Sequence, residues 1–229
     1  MAEINSAENL AKDFQYKVNH NNDGIILTKY IGSATEANIP TMINGLPVTE
    51  IGEKTFIRCY DLSKVSIPNS VIYIGKNAFT ACNKLTKIHI PNFIKIIDDW
   101  AFNLCSGLVE MVIPKNVPKI GEGTFYICES LKKVVIPNSV TEIGEYAFSG
   151  CSSLSEIKIP DSVTEIGRWA FECCTGLTEI AIPDSVVKIG YRAFWDCENL
   201  KCVYTQKSWS DEEIKNIFDE NPNLKISGP

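Results

Sequence analysis

The stretch Ile136–Lys158, IPNSVTEIGEYAFSGCSSLSEIK, decides the fold, because its pattern returns along the chain at a fixed interval of 23 residues. Cysteine recurs at that spacing at Cys59, Cys82, Cys105, Cys128, Cys151, Cys174 and Cys197. Phenylalanine does so at Phe56, Phe79, Phe102, Phe125, Phe148, Phe171 and Phe194, and leucine at Leu62, Leu85, Leu108, Leu131, Leu154, Leu177 and Leu200. Three residues after each leucine stands an apolar residue: Val65, Ile88, Met111, Val134, Ile157, Ile180 and Val203. Prolines close the unit at Pro68, Pro91, Pro114, Pro137, Pro160 and Pro183. Coincident columns at one period are the mark of a stacked repeat architecture.

Within one unit, Ile157 and Ile159 alternate with polar residues up to Pro160, as a half-buried strand requires. The proline then stops the ladder, having no amide proton to donate. The next stretch, Ser162–Gly167, again carries inward apolar positions, and its glycine permits a positive-φ bend or close backbone approach. The return side, Trp169–Cys174, is expected to make a short turn of helix or 3₁₀. One coil cannot bury its own leucine, isoleucine and phenylalanine, whereas stacked coils place each column over its copy. Burial of roughly 1.5–3 kcal/mol per side chain must offset about 1–2 kcal/mol of backbone ordering per residue, so cohesion comes from several coils together. The fold class expected is a repeat solenoid, β-rich with short helical or 3₁₀ return segments. About seven 23-residue coils would form a curved stack with a parallel sheet on the order of 30 Å long.

Solenoid ends expose core and strand edge, so caps are expected on both sides. Residues 1–38 form the N-terminal cap, with a hairpin over about 14–31: Phe14–Val18 alternates, Asn22-Asp23-Gly24 signals a turn, and Ile25–Tyr30 returns. The solenoid occupies 39–204, with a five-residue insertion around Asn44-Gly45-Leu46-Pro47 that should bulge outward as a loop. Residues 205–229 form a C-terminal helical cap and tail. There Ser210 with Glu213 makes a capping box and Trp209 with Ile214 a hydrophobic staple, opening a helix to about Asp219.

The 229 residues are 45% hydrophobic and 22% charged, which excludes a disordered or collagen-like chain. A net charge of −6 and a pI near 5.1 give no attraction to phosphate backbones, so no nucleic-acid partner is expected. No apolar run approaches the roughly 20 residues that span a bilayer, so no membrane insertion is expected. The first twenty residues carry charges where an export signal would be apolar, so this chain is expected to carry no such signal.

The unit from Ile136 to Lys158 resembles the BspA-like class of leucine-rich repeats, and the likeness spans about residues 30–204. It departs from that pattern at Asp98, where glycine is expected, at Pro118, at Thr55 and Thr124 in place of alanine, and in the early insertion. The resemblance implies a leucine-rich-repeat stack that binds protein without catalysis. It further implies a bacterial or protist secreted or cell-surface protein, with adhesion to host or matrix proteins as its role. No catalytic residue carries over, because the repeat columns are core positions. A cytoplasmic scaffold of the same fold is the alternative, favoured by the free thiols and the charged start of the chain.

Nine cysteines would suit a disulfide scaffold, but seven lie amid phenylalanine and leucine columns and lack the paired spacing of zinc sites. They read as buried structural thiols, although neighbouring coils could bring two within bridging reach. Cys173 and Cys202 fall outside the column. His20 and His89 are the only histidines, and no phosphate loop, dinucleotide motif or nucleophile elbow is present. Neither an enzyme nor a cofactor or metal is expected.

The columns that point away from the core carry the candidate binding surface. Two residues after the leucine stand Lys64, Lys87, Glu110, Lys133, Glu156, Glu179 and Cys202; four after it stand Ser66, His89, Val112, Val135, Lys158, Ala181 and Tyr204. The candidate protein-binding residues are Lys87, His89, Val112, Lys133, Val135 and Lys158, an apolar strip with a polar rim. The competing explanation is that β-branched residues simply suit strands. A second candidate is an aromatic ridge of Trp100, Tyr146, Trp169 and Tyr191, which equally suits packing between coils. The expected partner is another protein, and the chain is expected to be a monomer.

Overall fold

The computed structural model describes residues 11–218 and 224–228. It is a β-solenoid of about nine turns of roughly 23 residues, with a single short helix near the C-terminus among the described residues. Most coils contribute two very short strands, while the coil of Ile88 gives the first ladder only a single bridge from Lys87 to Glu110, so the coils knit into two parallel ladders instead of one sheet. The first ladder holds the strand after the leucine, as in Glu110–Val112, Lys133–Val135 and Glu156–Ile157. The second holds the stretch ahead of the glycine, as in Lys119–Ile120, Glu142–Ile143, Glu165–Ile166 and Lys188–Ile189. Pairing is in register with the repeat: Val134 faces Met111 and Ile157, and Ile143 faces Ile120 and Ile166.

The return segment is neither α nor 3₁₀ helix, contrary to expectation; it is a run of tight turns. Amides alternate between two destinations. In one coil Ala78, Thr80 and Cys82 donate to carbonyls three residues back, while Phe79 and Ala81 donate to Ala101 and Asn103 of the next coil. Helical bonding would consume the amides that join the coils. The alternation needs positive φ at two positions per coil: Lys54, Asn77, Trp100, Gly123, Tyr146, Trp169 and Arg192, then Arg58, Ala81, Leu104, Ile127, Gly150, Cys173 and Asp196. Only two of these are glycine, so the stack imposes left-handed backbone on residues that disfavour it by about 1–2 kcal/mol each.

The glycine that recurs before all but one of the turns has the other explanation. Gly144 and Gly167 are not at positive φ; a Cβ on Gly167 would stand 2.5 Å from the Glu145 amide nitrogen and one on Gly144 2.8 Å from the Gly121 carbonyl carbon. Close approach of successive coils is what excludes a side chain there. Asp98 breaks this column, and its carboxylate is held by the Tyr73 hydroxyl at 2.7 Å. Thr55 and Thr124, in the alanine column, are buried, and their hydroxyls donate to the Gly52 and Gly121 carbonyls at 2.9 Å.

The phenylalanines form a continuous internal stack, with centroids from 4.9 Å apart (Phe56 and Phe79) to 5.7 Å apart (Phe102 and Phe125). Phe14 and Tyr30 of the N-terminal hairpin continue it at one end and Phe218 at the other. The hairpin Phe14–Val18 with Ile25–Tyr30 forms as expected, and its second strand also pairs parallel with Leu46–Ile51, beginning the second ladder. The early insertion is a smaller hairpin, Met42–Ile43 with Leu46–Ile51, turning outward through Asn44 and Gly45 at positive φ.

The first ladder starts with Glu36–Asn38 on Lys64–Ser66, inside the stretch assigned from sequence to the cap. It ends with Lys225–Ser227 on Cys202–Tyr204, a rung the sequence did not suggest. Between them the helix Asp211–Phe218 is opened by reciprocal Ser210–Glu213 hydrogen bonds at 2.8 and 3.3 Å, and Trp209 and Ile214 pack on the core. Its carbonyls at Asn216 and Ile217 accept from Arg192 and Phe194, so it occupies the place of a further coil. Asp219, the expected helix end, lies outside the described residues.

Candidate functional site

Outward residues of the first ladder gather the expected strip onto one face. Val112 and Val135 lie side by side in register and are 61% and 45% exposed, so this apolar pair is offered to solvent. Lys87, His89, Lys133 and Lys158 are exposed around it. The lysines are not all free. Lys133 pairs with Glu156 at 2.6 Å, Lys87 with Glu110 at 3.9 Å, and Lys64 with Glu36 at 3.2 Å. From Lys87 through Glu110 and Lys133 to Glu156 the column two residues after each leucine is therefore a line of charges alternating in sign. Such exposed pairs contribute about 0–1 kcal/mol each and act mainly to fix the pattern of charge.

The ladder is broken at two steps, which sequence reasoning did not foresee. Its strands fall into separate groups: Glu36–Asn38 with Lys64–Ser66, then the three strands from Glu110 to Ile157, then those from Glu179 to Ser227. Amide donations from Val109 to Thr86, Lys132 to Val109 and Lys201 to Thr178 recur along the stack. Among the described residues the equivalents from Thr86 to Ser63 and from Thr178 to Ser155 are absent. A groove opens at each break. One of about 480 Å³ is lined by Lys64, Val65, Ser66, Lys87 and His89. Another of about 550 Å³ is lined by Lys133, Val135, Glu156, Ile157, Lys158 and Glu179. Ile157, unlike the rest of its inward column, is only half-buried, so the second groove has an apolar floor.

Both breaks fall where like charges would be neighbours: Lys64 with Lys87 and Glu156 with Glu179. Like charges directly opposite destabilise strand pairing. In the second ladder Glu142 and Glu165 do pair, but there Lys188 lies within Coulombic reach of both. Lys133 serves Glu156 and Glu110 instead and leaves Glu179 to the Tyr204 hydroxyl at 3.4 Å. The signal was present in the sequence, but it appears only when the column is read as neighbours in a ladder. The second ladder breaks once, between Ile96–Ile97 and Lys119–Ile120. Here Pro118 replaces the residue whose amide, in Ile72, Lys95, Thr141, Thr164 and Val187, is bonded to the preceding coil in all but this one.

The aromatic ridge is a packed feature of the turn side. Tyr126 joins it between Trp100 and Tyr146, having been missed because its column differs. The chain of contacts runs Trp100–Tyr126 at 5.5 Å, Tyr126–Tyr146 at 6.2 Å, Tyr146–Trp169 at 5.0 Å and Trp169–Tyr191 at 6.0 Å. Gly123 leaves space that the Trp100 ring fills. Arg168 covers Trp169 and Arg192 covers Trp195 at 4.4 and 3.7 Å, so these faces are already occupied.

All nine cysteines are free thiols. In six consecutive coils the column sulfur donates to the carbonyl of the preceding coil's phenylalanine: Cys82 to Phe56, Cys105 to Phe79, Cys128 to Phe102, Cys151 to Phe125, Cys174 to Phe148 and Cys197 to Phe171, at 3.0–3.2 Å. Burial pushes the Cys151 and Cys197 thiols up to about 12 and the partly exposed Cys59 and Cys173 up to about 11. The six buried column sulfurs thus serve as hydrogen-bond donors between coils. Among the described residues no group of three or more His, Cys, Asp or Glu side chains could hold a metal ion, and no helix is long and apolar enough to cross a membrane.

Residues 33–152 and 118–226 match the family described as BspA type leucine rich repeat region, in six copies. No curated protein matches the chain. Among solved structures it is similar to a leucine rich repeat protein of T. pallidum, at 40% identity over 83% of this chain and 89% of that one, with a TM-score of 0.80. A leucine-rich repeat protein from Bacteroides ovatus is similar at 25% identity, covering 94% of this chain and 66% of that one, with a TM-score of 0.54.

Proposed function

Because the chain belongs to the BspA-type leucine-rich repeat family, whose fold is that of protein-interaction modules, we propose that it binds another protein through the exposed face of its first ladder. The observation that carries this reading is the in-register Val112–Val135 pair, largely exposed and set between two grooves. An apolar centre with a charged rim is the usual anatomy of a recognition patch. The proposed setting is the cell surface or the exterior, in adhesion to host or matrix proteins.

The test compares the wild-type chain with the double variant Val112→Ser and Val135→Ser in pull-downs from extracellular-matrix and cytosolic extracts. Both substitutions lie on the solvent side, so the melting temperature should stay unchanged. Proteins retained by the wild type and lost by the variant are the expected result, and an identical retained set would remove the strip as the site. A second reading, an intracellular scaffold, draws on nine unpaired thiols, which suit a reducing compartment. Matrix proteins among the specific partners favour the first setting and cytosolic ones the second.

A further inference from the structure

Resting on the ladder face as the binding surface, we infer that its partner is an extended peptide segment carrying a carboxylate and a basic side chain roughly 20 Å apart, laid along the stack across both breaks. Signs alternate along the column from Glu36 through Lys64, and again from Lys87 through Glu110 and Lys133 to Glu156. Between Lys64 and Lys87 the alternation lacks one negative charge. Between Glu156 and Glu179 it lacks one positive charge. Each missing charge falls at a break with a groove in which both like-charged residues take part.

An anion entering the first groove meets two ammonium groups and His89, and sits where a carboxylate would complete the series. A cation entering the second meets Glu179 and also Glu156, which Lys133 already pairs at 2.6 Å; with Lys158 on the rim as well, this is the weaker subsite. Four ladder steps separate the breaks, which at about 4.8 Å per step gives roughly 19 Å. An extended chain advances about 3.4 Å per residue, so the two charged side chains should be about six residues apart. The residues between them would pass over Val112 and Val135, so apolar positions are expected in the middle.

The experiment pans the full chain against a synthetic nonapeptide library. Positions two and eight are drawn from Asp, Glu, Lys, Arg and Ser, and the middle positions from Val, Leu, Phe, Ser and Gly. Enrichment of peptides with an acidic residue at one end and a basic one at the other is expected, in one orientation only. Lys64→Gln with Lys87→Gln should erase the acidic preference, and Glu179→Gln the basic one, each at about a two- to fivefold cost in affinity. Binders without the charge pair, but lost in the Val112→Ser and Val135→Ser variant, would overturn this inference while leaving the face as the site. Binders that survive that variant, or no binders at all, would overturn both.

Discussion

Each column thiol from Cys82 to Cys174 hangs between two coils, its own amide bonded within its turn and its sulfur on the carbonyl of the coil before. The proton on sulfur is therefore part of the fold. In the unfolded chain a cysteine titrates near its ordinary value of 9.0, whereas Cys151 and Cys197 hold their protons up to about 12. A raised folded value means that this contribution is complete below the unfolded value and is lost as pH climbs through the folded one. Stability should fall between about pH 9 and 12, with a shallower slope in Cys151→Ala, as read by urea unfolding at each pH. Thiol labelling at neutral pH without reductant should reach Cys59, Cys173 and Cys202 first. The six buried sulfurs should follow only on unfolding, for a total of nine; a lower total would show disulfides.

At the scale of elements, the strands of two or three residues have almost no cohesion of their own and depend on every step of pairing. Glu179→Lys replaces a like-charged neighbour of Glu156 with an opposite one and leaves no new repulsion, since Cys202 follows. It should heal the second break, with stability rising by about 0.5–1 kcal/mol. Hydrogen exchange at the Thr178 amide should slow markedly while exchange at Lys201 stays as it was; equal rates at Thr178 would show that charge does not hold the break open. The strands, the hairpin and the capping box were legible because alternation, Asn-Asp-Gly and Ser-x-x-Glu encode them locally. The turn side was not. Its left-handed positions hold Trp100, Leu104, Tyr146 and Trp169, residues with no liking for that conformation, so contacts between coils set it and local preference does not. The grooves were equally hidden, because a break belongs to a pair of coils and to neither alone.

Across the whole molecule, the phenylalanine stack passes without interruption from Phe14 to Phe218, even past Pro118 where one ladder is cut. Stability of such an array is close to a sum of nearest-neighbour interfaces, so the ends matter more than the middle for fraying. Phe218→Ala removes the last ring and should cost about 3–5 kcal/mol at the C-terminal end. Limited proteolysis should then cut first in the coils around Phe194 and Cys197 while the N-terminal coils persist. Uniform loss of all coils at once would show an undivided cooperative unit. The fixed register of 23 residues, which aligns every column, also makes the solenoid a ruler. Removing residues 88–133, two whole periods, would bring the two charged notches nearer by two rises, about 10 Å, and would set Lys87 beside Glu156, so the alternation between them survives. Relatives built with more or fewer windings between such notches would then measure out partners of different length by the same chemistry.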